Sequence, residues 1–127
     1  MRWTVQTEFI RSWLDSLQEP LARQVAAALD ALAVQGPELG RPLVDTIKGS
    51  SIHNLKELRP RSTGRSEIRI LFVFDSERCA VTLLAGDKAG FLSRGPKWDK
   101  WYKKAIPEAE RRYRQYLTWK DAQHGHA

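Results

Sequence analysis

The sequence predicts an α+β fold: an antiparallel sheet carrying an N-terminal helical hairpin and a C-terminal helix. Three observations lead there. Between Leu55 and Lys88, three strand signals follow one another across two short polar turns, and short connections make neighbouring strands antiparallel. Before this stretch, apolar residues recur at helical spacing on either side of Pro20. After it, Pro107 with Glu108 and Glu110 in the following turn marks a helix start, because proline suits the first helical position and acidic groups suit the positive end of the helix dipole.

Taken in order, Arg2-Trp3-Thr4-Val5 alternates polar and apolar and reads as a short strand added to the same sheet. Thr7 can cap a first helix with Phe9, Trp13, Leu14 and Leu17 on one stripe. Pro20 opens a second, whose buried stripe is Leu21, Val25, Ala28, Leu29 and Leu32, and Gly36-Pro37 stops it. The two are expected to form an antiparallel hairpin lying across the sheet. Pro37–Asn54, with Gly40, Pro42 and Gly49, reads as a connector. The middle strand of the meander, Ser66–Asp75, holds the run Ile70-Leu71-Phe72-Val73-Phe74, a pattern suited to burial on both faces. RPRSTGR and DSER supply the turns on either side, the second leading into Cys79–Ala85. The C-terminal helix has Ala109, Tyr113, Tyr116 and Leu117 at core-facing spacing. Residues 1–120 are expected to form one domain, and 121–127, with its His-Gly-His, a disordered tail.

Composition narrows the function classes. With 127 residues, 42% of them hydrophobic and five of them tryptophan, the chain has enough apolar material for one modest core. A net charge of +6 favours a polyanionic partner, nucleic acid or an acidic protein. The single cysteine, Cys79, excludes an internal disulfide and fits a reducing compartment. No apolar signal-peptide core or membrane-length run occurs, so a cytoplasmic location is expected. There is no phosphate-cradling glycine loop, no Cys/His spacing for zinc and no serine-nucleophile elbow. Any chemistry must rest on scattered basic and polar groups.

Folding the meander gathers such groups. A turn near Thr63 sets Arg69 roughly opposite Glu57, with Arg59 one same-face step away; a turn near Ser76 and Glu77 sets Arg69 near Leu84–Gly86, with Lys88 just beyond. Lys56, Arg59, Arg69 and Lys88 thus meet at one end of the sheet, while their facing depends on a register that a one-residue slip would invert. His53, just before the first meander strand, is either a partly exposed strand-edge histidine or a catalytic one. Beyond Lys88, the basic residues Arg94, Lys97, Lys100, Lys103 and Lys104 interleave with Trp98, Trp101 and Tyr102. That mixture suits RNA, with cations on phosphates and rings on unpaired bases. It equally suits aromatics packed on the sheet beneath solvated lysines.

The order strand, two helices, then LKELR, SEIRILFVFD, CAVTLLAGDKAG and KKAIPEAERRY resembles the RelE/HigB toxins of type II toxin–antitoxin systems, nearest to the phage-derived HigB-like branch. The resemblance runs from about Trp3 to Leu117 and implies a small RelE-like α+β domain. It further implies a metal-independent, ribosome-dependent endoribonuclease that cleaves messenger RNA in the decoding site and needs no cofactor. Its partners would be the ribosome, messenger RNA and a HigA-like helix-turn-helix antitoxin. Carried over by motif, the catalytic positions would be Lys56 and Arg59 from LKELR, Arg69 from the central strand and Lys88 from the GDK turn. Arg61, Arg65, Arg94, Lys97, Lys100, Trp101, Tyr102, Lys103 and Lys104 would contact RNA. The chain departs from some relatives, which place histidine and tyrosine where Asp87-Lys88-Ala89 stands here. The rival reading is a nucleic-acid-binding or adaptor protein that uses the same charges without cleavage, or a degenerate toxin that only binds its antitoxin.

Overall fold

The computed structural model describes residues 2–61, 64–91 and 97–124. Five strands, β1 (Thr4–Gln6), β2 (Val44–Thr46), β3 (Lys56–Leu58), β4 (Ile68–Phe74) and β5 (Cys79–Asp87), form one sheet in the order β1-β5-β4-β3-β2. Among the described residues four α-helices accompany them: α1 (Arg11–Asp15), α2 (Leu21–Gln35), α3 (Lys88–Phe91) and α4 (Lys97–His124). The α+β class is therefore as expected, and β3, β4 and β5 are the antiparallel meander. The N-terminal strand joins the same sheet, but runs parallel to β5 along its outer edge.

Apolar residues explain why β4 lies at the centre. Its even-numbered side chains, Ile68, Ile70 and Phe72, pack with Ile10 and with Val25, Ala28 and Leu32 of α2. Its odd-numbered Leu71 and Val73 pack with Val81, Leu83 and the stripe Trp101, Ala105, Ala109 and Tyr116 of α4. A strand covered on both sides needs a continuous apolar run, and each side chain so buried contributes roughly 1.5–3 kcal/mol.

Several elements differ from expectation. β2 lies within the segment read as a connector and pairs antiparallel with β3; three residues among glycines and prolines are too few to show a period. The first helix opens as a 3₁₀ turn over Glu8–Ile10, and the Thr7 side chain makes no capping bond. α4 begins well before Pro107 and runs through it. Proline removes one hydrogen bond to the Lys103 carbonyl, yet both residues are exposed, and the buried stripe continues across the break. Packing therefore outweighs the local penalty. Leu117, expected in the core, is exposed. Residues 121–124, expected in a tail, are helical, and 125–127 lie outside the described residues.

Two side chains stitch these layers together. Asp75, in the β4–β5 turn, accepts the Glu77 and Cys79 amides through Oδ1 and the Tyr116 hydroxyl and Lys120 ammonium through Oδ2. Between Leu71 and Phe72 the register with β5 slips, so that Leu71 faces Leu84 while Phe72 faces Thr82, and Leu83 is the extra residue of a bulge. Its carbonyl accepts Arg112 Nη1 at 2.9 Å, and the same nitrogen bonds the Phe9 carbonyl at 3.2 Å. Half-buried Cys79 has its thiol pushed up chiefly by that burial, which suits packing rather than nucleophilic chemistry. Among the described residues, no helix is long and apolar enough to cross a membrane.

Gly36 ends α2 at φ +58° with its Cα against the Trp3 indole. Gly36→Ala should destabilise the fold by about 1–3 kcal/mol, through overpacking and a strained backbone. Urea unfolding measures this directly, and an unchanged midpoint would show that Trp3 does not pack there as described.

Candidate active site

The site is built on Glu57, at the middle of β3 and 2% exposed. Strand alternation sets its side chain opposite Leu71, on the α4 side of the sheet. Arg59 follows on the same face and donates to Glu57 Oε2 from both Nε (2.9 Å) and Nη2 (2.7 Å). Its Nη2 also reaches Asp45 of β2 at 3.2 Å, and Asp45 in turn pairs with Arg41. Tyr102 of α4 donates its hydroxyl to Glu57 Oε1 at 2.5 Å. One buried carboxylate thus joins β3 to the long helix and orients an arginine.

Arg69 approaches from β4. Its Nε lies 3.8 Å from Glu57 Oε1, too far for a hydrogen bond, and Nη1 donates to the Ile68 carbonyl. The Nε is buried without a hydrogen-bond partner among the described residues. Such an orphaned donor is costly, and an anionic oxygen would satisfy it.

The bulge at Leu83 brings in the last member. Without the extra residue, strand alternation would turn Gly86 and Lys88 to the other face. With it, Gly86 falls opposite Arg69, and its missing side chain leaves room for the Trp101 indole. Asp87 Oδ1 accepts the Glu67 and Ala89 amides, fixing the turn into α3. Lys88 then projects inward, 7% exposed, with Nζ 3.4 Å from the Tyr102 hydroxyl and 5.1 Å from its ring centroid. Burial, and next the Arg69 charge, lower its pKa. For Tyr102, burial and then the Glu57 hydrogen bond act the other way and raise the phenol well above its ordinary value. The arrangement offers two guanidinium groups, an amine that gives up its proton more readily than most, and a phenol held as a donor.

The structure therefore brings together Arg59, Arg69 and Lys88, as the folded meander predicts, though the pairing differs in detail. Leu71, not Arg69, stands opposite Glu57; the two-residue offset preserves the face. Lys56 is a correction. It pairs with Phe72, on the α2 side, so the sheet separates it from the cluster. Trp101 is a second correction: it is packed in the core, where no base can stack on it. Tyr102 turns from a general RNA contact into a member of the cluster. Lys100, Lys103 and Lys104 are exposed on α4, and Lys97 opens that helix. Arg65 is exposed, and Arg61 lines a hollow against Gln24 and Ala28 of α2, away from the cluster. His53 is exposed in a turn, and Arg94 lies outside the described residues. Glu57 is the member to which sequence reasoning gave no role, although its expected place near the one arginine of β4 was a signal. No group of three or more His, Cys, Asp or Glu side chains suited to a metal ion occurs among the described residues.

The α+β fold, with its five-stranded sheet and C-terminal helix, is the one expected of the toxins that the sequence resembles. Residues 12–114 match the family described as Phage derived protein Gp49-like (DUF891). The protein named "Putative toxin HigB2" of Mycobacterium tuberculosis (strain ATCC 25618 / H37Rv) is 46% identical over 116 residues, 91% of this chain and 55% of that protein. "Putative toxin HigB3" of the same organism is 42% identical over 116 residues, 91% of each chain. The chain thus spans about half the length of the first relative and nearly all of the second. It belongs to the Gp49-like family of phage-derived proteins, and the resemblance to the HigB-like branch holds.

The raised phenols have a consequence at high pH. Tyr102 and Tyr116 are both favoured in the protonated form by the fold. Their contribution to stability is complete below the unfolded value of about 10, and is lost as pH rises through the higher folded values. A phenolate absorbance titration of the native protein should show both ionising late, and Tyr102→Phe should remove one late component. A titration curve unaltered by that substitution would contradict the Glu57–Tyr102 bond.

Proposed function

We propose that the protein is the toxin of a type II toxin–antitoxin pair and acts as a ribosome-dependent endoribonuclease on messenger RNA. The observation that carries this reading is the convergence of Arg59, Arg69, Lys88 and Tyr102 on buried Glu57, in a chain with toxin-named relatives.

Cleavage would proceed by attack of a ribose 2′-hydroxyl on the adjacent phosphate. A bond forms from the 2′-oxygen to phosphorus, and the bond to the 5′-oxygen breaks. The 2′-proton must leave and a proton must reach the 5′-oxygen. Arg69, whose Nε lacks a hydrogen-bond partner among the described residues, binds the phosphate and stabilises the crowded phosphorane charge, with Arg59 beside it. Lys88, its pKa lowered by burial and by Arg69, is the candidate for proton transfer. Tyr102 donates a hydrogen bond, and Glu57 positions both Tyr102 and Arg59. Lys56 has no part at this centre. The exposed lysines of α4 would follow the RNA backbone. A HigA-like helix-turn-helix antitoxin is the proposed partner, drawn by the positive surface, and the proposed site of action is the cytoplasm.

Primer extension on a reporter messenger RNA, in a translating extract and in one where translation is blocked, tests this reading. Cuts within translated codons, absent without translation, are expected. Arg69→Ala should reduce them by about 10²–10³-fold, the usual effect of removing one transition-state donor, with antitoxin binding retained. Wild-type cutting by the variant would sink the assignment of Arg69. No cutting by the folded wild-type chain would leave an RNA-binding module.

A further inference from the structure

We propose that the hollow beside Tyr102 is a nucleobase subsite selective for guanine, read by the carboxylate of Glu110. The inference rests on the RNA substrate proposed above and adds the identity of one base.

The hollow is an open surface recess of about 360 Å³ lined by Gly49, Tyr102, Lys103, Ile106, Pro107 and Glu110. Tyr102 belongs to both places: its hydroxyl sits in the charge cluster, and the residue also walls the hollow. The recess and the charge cluster therefore share Tyr102 as a common wall. The walls from Tyr102, Ile106 and Pro107 are apolar or aromatic and suit the faces of a base rather than a phosphate.

Glu110 decides which base. Its Oε2 accepts the Ser50 hydroxyl and the Ser51 amide, both at 2.8 Å. Those bonds, the Ser51 amide foremost, hold its carboxyl below the usual range, so it is ionised and can only accept. A carboxylate offers about four acceptor positions, and two are engaged by the serine loop. The negative charge repels a phosphate, which excludes the hollow as a backbone site. Guanine presents two adjacent donors, N1–H and N2–H₂, on its Watson–Crick edge, and both can point at Oε1, the oxygen that accepts neither serine bond. Uracil presents one donor between two carbonyls, and those carbonyls are repelled. Exposed Lys103, on the rim, is placed for the next phosphate.

The test is a titration of guanosine 3′-monophosphate and uridine 3′-monophosphate into the full chain, followed by NMR amide shifts. Guanosine monophosphate should bind about tenfold more tightly, the lower range for a bidentate base contact. Glu110→Gln should abolish that preference while leaving uridine monophosphate affinity unchanged. Equal affinities, no binding of either nucleotide, or a preference that survives Glu110→Gln would each overturn the proposal. Intermolecular NOEs between guanine H8 and the Ile106 methyls provide a check needing no variant, and NOEs confined elsewhere would also overturn it. Failure here is separable from failure of the nuclease reading. Guanine selectivity with intact messenger RNA removes only the nuclease; cleavage without base preference at any position removes only the subsite.

Discussion

One buried carboxylate carries much of this structure. Glu57 occupies the centre of a three-residue strand, and taking such a charge out of water costs several kcal/mol unless partners meet it. Arg59 supplies two N–H donors and Tyr102 a short hydroxyl contact. These partners come from β3 and α4, elements 43 positions apart between Arg59 and Tyr102 in the sequence numbering. Satisfying the charge therefore fixes how the long helix lies over the sheet, and the same contact sets the geometry of the site. Fold and site share an anchor.

Around that anchor, irregularities in the sheet do the aiming. The extra residue at Leu83 turns the end of β5 over, so that Gly86 and Lys88 share a face with Arg69. A bulge leaves a ladder carbonyl exposed to a missing partner, and Arg112 of α4 fills that role at Leu83. The absent side chain of Gly86 admits the Trp101 indole, which brings Tyr102, its neighbour on α4, within reach of Glu57. The cationic cluster is thus a consequence of a sheet defect stabilised from the helix above it. Among the described residues the Arg69 Nε is buried without a hydrogen-bond partner, the property expected of a group that waits for an anion.

Much of this was legible beforehand. The β4 run, the α2 stripe and the meander follow from short-range periodicity, and those patterns are strong because both faces of β4 are buried. The gathering of Arg59, Arg69 and Lys88 followed from turn positions alone. Facing did not, because side-chain direction alternates every residue and the bulge reverses it once without any distinctive residue. Lys56 was grouped with Arg59 as part of LKELR, although strand positions three apart face opposite ways. Trp101 looked like an RNA contact because its lysine neighbours are basic; helical geometry turned it inward and them outward. Pro107 misled as a helix start because proline is a local signal, whereas the stripe from Trp101 to Tyr116 is a tertiary one. β2 had no pattern to read.

The anchoring role of Glu57 is best tested by a double-mutant cycle on unfolding free energy, using Glu57→Gln, Tyr102→Phe and the double variant. Groups sharing one buried, charge-assisted hydrogen bond should couple by about 1–3 kcal/mol. Effects that simply add, within about 0.5 kcal/mol, would mean that the carboxylate and the phenol are neighbours without being partners, and that something else holds α4 over the site.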